Sequence, residues 1–181
     1  MTATRQVVLI RGINVGGHAK LAMADLRRLL AGLGYDGVRT HLQSGNAVVT
    51  STKAPATVAK EVEQAIADEL AVKPRVLVLA RDELADVIAG NPLPEATRNG
   101  SRFFVTFLFD KPSNGALDGL EPADYTPDEW RLAGRVVFMH CPDGMRDSRL
   151  AKALNEKRLG VVATTRNWNT VTKLLALADE E

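Results

Sequence analysis

The order of its apolar patterns predicts an α+β fold, built from two split βαβ subdomains whose antiparallel sheets carry helices on one face. Three observations carry that expectation. Within the first 80 residues, strand-like and helix-like periodicities follow the order strand, helix, strand, strand, helix, strand. The rest of the chain repeats a looser version of the same order. Early in the second half, Gly90-Asn91-Pro92-Leu93-Pro94 breaks the short helix that precedes it. The expected subdomains are residues 1–80 and 81–181, packed together because no flexible linker composition separates them.

Each element has its own signal. Val7-Val8-Leu9-Ile10 is a β-branched apolar run, the mark of a buried strand. A glycine-rich loop, residues 11–20, follows it. Leu26, Leu29, Leu30 and Leu33 recur at helical spacing with Arg27 and Arg28 on the other side, and Gly32 and Gly34 suit the helix end. Val38 to Leu42 alternates, Gln43-Ser44-Gly45-Asn46 is a tight turn, and Ala47 to Thr50 returns as a hairpin strand. Val58, Val62, Ile66 and Leu70 step through a longer helix, and Arg75 to Ala80 alternates as a strand.

In the second half, Asp82 to Ala89 reads as a short helix and Phe103 to Phe109 as the strongest strand in the chain. Residues 110–127 carry three prolines and read as loop, with one helical turn near Ala116 to Leu120. Trp130 to Ala133 and Val136 to Cys141 flank Gly134 as a second hairpin. Ser148 to Leu159 reads as one amphipathic helix. A last helix carries Trp168, Val171, Leu174, Leu175 and Ala178, with Thr164 or Thr165 as its cap.

Composition narrows the function classes. The chain has 181 residues, and 23 Lys and Arg against 22 Asp and Glu give a net charge of +1. That disfavours a globally basic nucleic-acid binder and an acidic disordered tail. A single cysteine, Cys141, forms no internal disulfide and suggests a reducing compartment. The first six residues lack a signal-peptide pattern, and no apolar run approaches the ~18 residues of a membrane span. The expected location is cytoplasmic, without a membrane partner.

Two segments carry candidate binding residues. The loop Arg11-Gly12-Ile13-Asn14-Val15-Gly16-Gly17, with Lys20, joins a strand to a helix, where backbone N–H groups and a helix N-terminus favour an anion. It is neither a P-loop nor a dinucleotide fingerprint. In a split βαβ unit the first and second strands point the same way, so this loop and the turn with Gln43, Ser44 and Asn46 share one end of the sheet. Equally, the glycines make turns and nothing more.

The second segment is residues 164–170. Arg166 falls in the first turn of the expected last helix, where a cation opposes the dipole and suits either an anion or a structural salt bridge. Asn167 and Asn169 offer amides to a ligand or close the turn. Trp168 is core or a stacking platform. From Arg146 to Lys173, seven cations stand against two acids, which is a solvated helix face or a nucleic-acid surface.

Catalytic patterns are poor. His18, His41 and His140 lack metal-ligand spacing, so no metal or cofactor is expected. His140 and Cys141 alternate to opposite faces of a strand. Ser44 with His18 or His41 is the one nucleophile–base pairing the sequence draws.

Leu9-Ile10-Arg11-Gly12-Ile13-Asn14-Val15-Gly16-Gly17, the Gln43–Asn46 turn and Ala163-Thr164-Thr165-Arg166-Asn167-Trp168-Asn169-Thr170-Val171 resemble a bacterial family catalogued as domain of unknown function 1697. The resemblance spans nearly the whole chain. It implies an α+β protein of two ferredoxin-like subdomains and brings no reaction, cofactor or catalytic residue.

The expected function is binding of a small phosphate- or carboxylate-bearing ligand, such as a nucleotide, with no recognisable enzyme chemistry. Arg11, Asn14, Gly16, Gly17 and Lys20 would hold the anion. Gln43, Ser44 and Asn46 would add hydrogen bonds, and Arg166, Asn167 and Asn169 would close the pocket. The alternatives are a nucleic-acid module using residues 146–173, and an oligomerisation or protein-interaction module.

Overall fold

A computed structural model describes residues 2–17 and 19–180. Its contacts separate into two units, residues 1–86 with 172–181, and residues 87–171. This differs from the expected division at residue 80, because the end of the last helix groups with the first unit. Each unit holds one four-stranded antiparallel sheet.

The first unit runs β1 (Thr4–Arg11), α1 (Met23–Gly32), β2 (Asp36–His41), β3 (Asn46–Ser51), α2 (Pro55–Leu70) and β4 (Arg75–Ala80). Its strand order is β2-β3-β1-β4, the ferredoxin-like arrangement. Val8 and Ile10 of β1, Ala47 and Val49 of β3, and Val76 and Val78 of β4 share one face. Onto it α1 turns Met23, Leu26, Leu29 and Leu30, and α2 turns Val58, Val62 and Ile66. The three- and four-residue steps of these apolar positions explain why both segments are helices. Val7 and Leu9 alternate to the other face and are buried as well. A central strand buried on both sides needs an unbroken apolar run, which is what residues 7–10 supply. Pro55 opens α2 at its first turn, and Ala71 ends it in the left-handed region with φ 52°.

After β4 the chain enters α3 (Arg81–Ala89) directly, and a 3₁₀ helix spans Pro94–Asn99. The second sheet follows with β5 (Phe103–Leu108), a 3₁₀ turn (Pro122–Tyr125), β6 (Glu129–Ala133), β7 (Val136–His140), α4 (Arg149–Ala153), α5 (Glu156–Leu159) and β8 (Ala163–Asn167). Helix α6 (Trp168–Asp179) ends the regular structure. The order β6-β7-β5-β8 repeats the first sheet strand for strand. The element between β5 and β6 is not a helix but a chain of turns over residues 113–120 followed by the 3₁₀ turn.

Two expectations are corrected. Residues 148–159 form two helices rather than one. Asn155 interrupts them, its side chain accepting from the Arg158 N–H at 3.0 Å to start α5 afresh. Residues 163–167 are a strand rather than a cap and first helical turn. They pair in register with β5, Val105 opposite Arg166 and Thr106 opposite Thr165, and the two threonine hydroxyls bond at 2.8 Å.

Candidate functional site

Strands β1 and β2 are both antiparallel to β3, so the loop leaving β1 and the turn leaving β2 emerge at one end of the first sheet. Hydrogen bonds tie them together. The Ile10 N–H donates to the Gly45 carbonyl at 2.8 Å. The Asn14 amide donates to the Leu21 carbonyl at 2.8 Å and the Gln43 carbonyl at 2.7 Å, and its oxygen accepts from the Leu21 N–H at 2.8 Å. Asn14 sits at φ 54°, a left-handed conformation that asparagine tolerates better than most side chains. Both of its amide protons are committed, so it clasps loop to turn. Gly45 is required twice over. Its φ is 78°, and a Cβ there would come within 3.0 Å of the Ile10 carbonyl oxygen.

The clasp frames a cavity of about 350 Å³, lined by Asn14, Gly17, Lys20, Leu21, Ala22 and Gln43. Ala22 is the N-cap of α1, and no side chain caps that helix. The partial positive charge of the helix start therefore faces the cavity beside the exposed Lys20. Asp25 in the first turn offsets part of this field and lies 3.6 Å from Arg28. Val15 and Leu42, exposed at 67% and 59%, are the residues next to Asn14 and Gln43.

The remaining candidates of this unit lie off the cavity wall. Arg11 ends β1 on the face turned away from α1, with Arg75 of β4 as its register partner. Gly16 is exposed with φ 62° and shapes the loop. Asn46 is fully buried and donates to the His41 carbonyl at 3.0 Å and the Ser44 hydroxyl at 2.8 Å, closing the hairpin. Leu21 and Ala22 were not singled out from sequence. Their signal is the missing Ser, Thr, Asp or Asn ahead of the leucine-patterned helix.

Arg166, Asn167 and Asn169 belong to the second unit. Arg166 lies on β8, not in the first turn of a helix whose dipole it would oppose. Its guanidinium donates to the Thr164 hydroxyl and the Thr165 carbonyl, each at 2.8 Å, and burial lowers its pKa to about 10. Asn167 caps α6 by accepting from the Thr170 N–H at 2.9 Å. The Trp168 ring lies 5.1 Å from that of Phe103, itself fully buried, which favours core over stacking platform. Asn169 is exposed.

The basic stretch does not form one surface element. It is divided among α4, α5, β8 and α6, and Lys173 groups with the first unit. Arg158 is committed to the Ala116 and Asp118 carbonyls at 2.9 and 2.7 Å.

His18 lies outside the described residues. His41 ends β2 half-buried, and burial first, then the charge of Lys173, hold its pKa down. Cys141 is fully buried and its thiol pKa is pushed up by that burial. It points at Ser148, 3.6 Å away, whose hydroxyl donates to Asp128 at 2.6 Å while accepting the Ala151 N–H that starts α4. That serine is a helix cap. Among the described residues no three His, Cys, Asp or Glu side chains are grouped to hold a metal ion, and no helix is long and apolar enough to cross a membrane.

Fold and cavity thus define an α+β protein of two ferredoxin-like units, the first with a loop-built cavity at one sheet end. Residues 3–138 match the model of a family described as protein of unknown function (DUF1697), and the chain belongs to that family. Among solved structures it is similar to the conserved bacterial protein SP0830 from Streptococcus pneumoniae. The identity is 22%, the TM-score 0.74, and the match covers 98% of this chain and 100% of that one. At that identity the likeness bears on the fold. No curated protein matches.

Proposed function

We propose that the protein binds a small anionic ligand, carrying a phosphate or carboxylate, in the cavity between the 12–20 loop and the 43–46 turn. One observation carries the reading. The side-chain-uncapped start of α1 and the ammonium of Lys20 border the same cavity. A helix start contributes about 0.3–1 kcal/mol to holding an anion, so Lys20 and the loop N–H groups must supply the remainder. A nucleotide is one ligand of this class. The reading is that of a binding site for such a ligand.

The test is calorimetric titration with inorganic phosphate and nucleoside monophosphates. Lys20→Ala is expected to weaken binding with little change in melting temperature. Ala22→Asp is the sharper variant. It places a carboxylate on the N–H groups that the ligand would use, so it should raise thermal stability by roughly 0.5–1 kcal/mol while abolishing binding. Unchanged affinity in Ala22→Asp would overturn the proposal.

A further inference from the structure

The second unit holds a separate cavity of about 310 Å³, walled by residues 92–96, Glu129 and His140. Glu129 of β6 and His140 of β7 are direct register partners, and His140 is also the partner of Phe103 on β5. The three side chains therefore form one row on the sheet face opposite the α4–α5 core, with the imidazole between a carboxylate and an aromatic ring.

The electrostatics of this cavity are one-sided. Among the described residues Glu129 makes no ion pair and no side-chain hydrogen bond, and none of the wall residues is a Lys or Arg. The other acid of the wall, Glu95, is paired with Arg98 at 2.6 Å. Pro92, Leu93, Pro94 and Ala96 make the rest of the wall apolar. An unpaired carboxylate beside an imidazole, facing a proline-rich surface, suits a cation that carries a short apolar chain. A carboxylate only accepts hydrogen bonds, and an unprotonated imidazole nitrogen is one further acceptor, so the complementary group is a multi-proton donor.

We infer that this cavity is a binding site for small organic ammonium ions, with Glu129 as the counter-ion and His140 as the second acceptor. It shares no residue with the anion cavity, and neither reading depends on the other.

The experiment is an amide NMR titration of the full chain with n-butylamine at neutral pH, with n-butanol and butyrate as uncharged and anionic counterparts. Butylammonium is expected to shift the amides of residues 93, 95, 96, 129 and 140, with an affinity on the order of millimolar for so small a ligand. Glu129→Gln should weaken that binding about tenfold, the loss of one charge-assisted hydrogen bond. Glu129 is exposed on an edge strand, so the variant should fold. Glu95→Gln should weaken it less than about threefold, because Arg98 already neutralises that carboxylate. The inference is overturned if those amides do not move, if n-butanol binds as well as the amine, or if Glu129→Gln leaves the affinity unchanged.

Discussion

The two units share a strand order and differ in everything laid over it. In the first, the connections from β1 to β2 and from β3 to β4 are α-helices of 10 and 16 residues. In the second, the first connection is turns and a 3₁₀ segment, and the other is two helices of 5 and 4 residues. Their ends differ in the opposite sense. The long helices α1 and α2 begin at Ala22 and Ala54, without a capping side chain, while the short α4 and α5 are capped by Ser148 and Asn155. A long amphipathic helix is held by the face it buries, whereas a single turn has little face to bury and depends on its cap. Sheet topology is thus what the two units share, and the covering layer is what differs between them.

The comparison is open to attack first through the core. Ile66 of α2 and Leu159 of α5 are both buried at 1% exposure or less. Ile66→Ala should cost about 3–5 kcal/mol, because the 16-residue helix cannot move to fill the void. Leu159→Ala should cost about 2–3 kcal/mol, because a four-residue helix can settle inwards. Native-state amide exchange read separately on β1 and β7 measures each loss. Equal losses would break the contrast between long and short covers.

The caps give the next effect. Ser148→Ala should destabilise the second unit by about 1–2 kcal/mol, since it removes a cap and leaves Asp128 without its donor. Ala54→Ser should do the reverse for α2, adding about 0.5–1 kcal/mol ahead of Pro55. Thermal melts of both variants check the pair of signs.

The smallest effect is a pH dependence confined to the first unit. Hydrogen bonds from Lys53 first and Tyr35 second hold the Glu61 carboxyl below its usual range. A depressed carboxylate contributes stability above its unfolded pKa, near 4.3, and loses it as pH falls through the folded value. Glu61→Gln should therefore flatten the acid limb of stability below about pH 4.5 and leave the second unit's limb alone. The Tyr35 hydroxyl is pushed up, by burial first and then by Glu61, and keeps its proton through that range.

How far the sequence was legible follows from the same contrast. The first unit's elements announce themselves because each buries a periodic apolar face, Val8 and Ile10 at strand spacing and Val58, Val62 and Ile66 at helical spacing. Strand β8 does not, because Ala163 to Asn167 holds its place through backbone pairing and a threonine–threonine bond rather than an apolar alternation. Without that alternation the pattern places Arg166 in a helical turn, whereas it lies on a strand. The sequence offers Asn14 as an anion-holding residue; its place as a clasp depends on three hydrogen bonds, two with Leu21 and one with Gln43, that no local pattern announces. The cavity at Glu129 and His140 was illegible for a simpler reason. Its walls join a β6–β7 hairpin pair, Glu129 and His140, to residues 92–96, which lie more than thirty residues earlier and outside the sheet.

Helix α6 has a consequence for the order in which the chain acquires its structure. Arg5 donates to the Leu177, Ala178 and Glu180 carbonyls, Arg39 pairs with Glu180, and Arg81 with Asp179 at 2.7 Å. All these partners belong to residues 172–181, which group with the first unit although the whole second unit precedes them in the chain. At a translation rate of about 5–20 residues per second, the ribosome reaches them roughly 4–17 s after it has finished residue 86. During that interval Arg5, Arg39 and Arg81 lack the acceptors that residues 177–180 supply. A nascent chain halted before residue 172 would hold an open first unit, exposed to proteases in a way the finished protein is not.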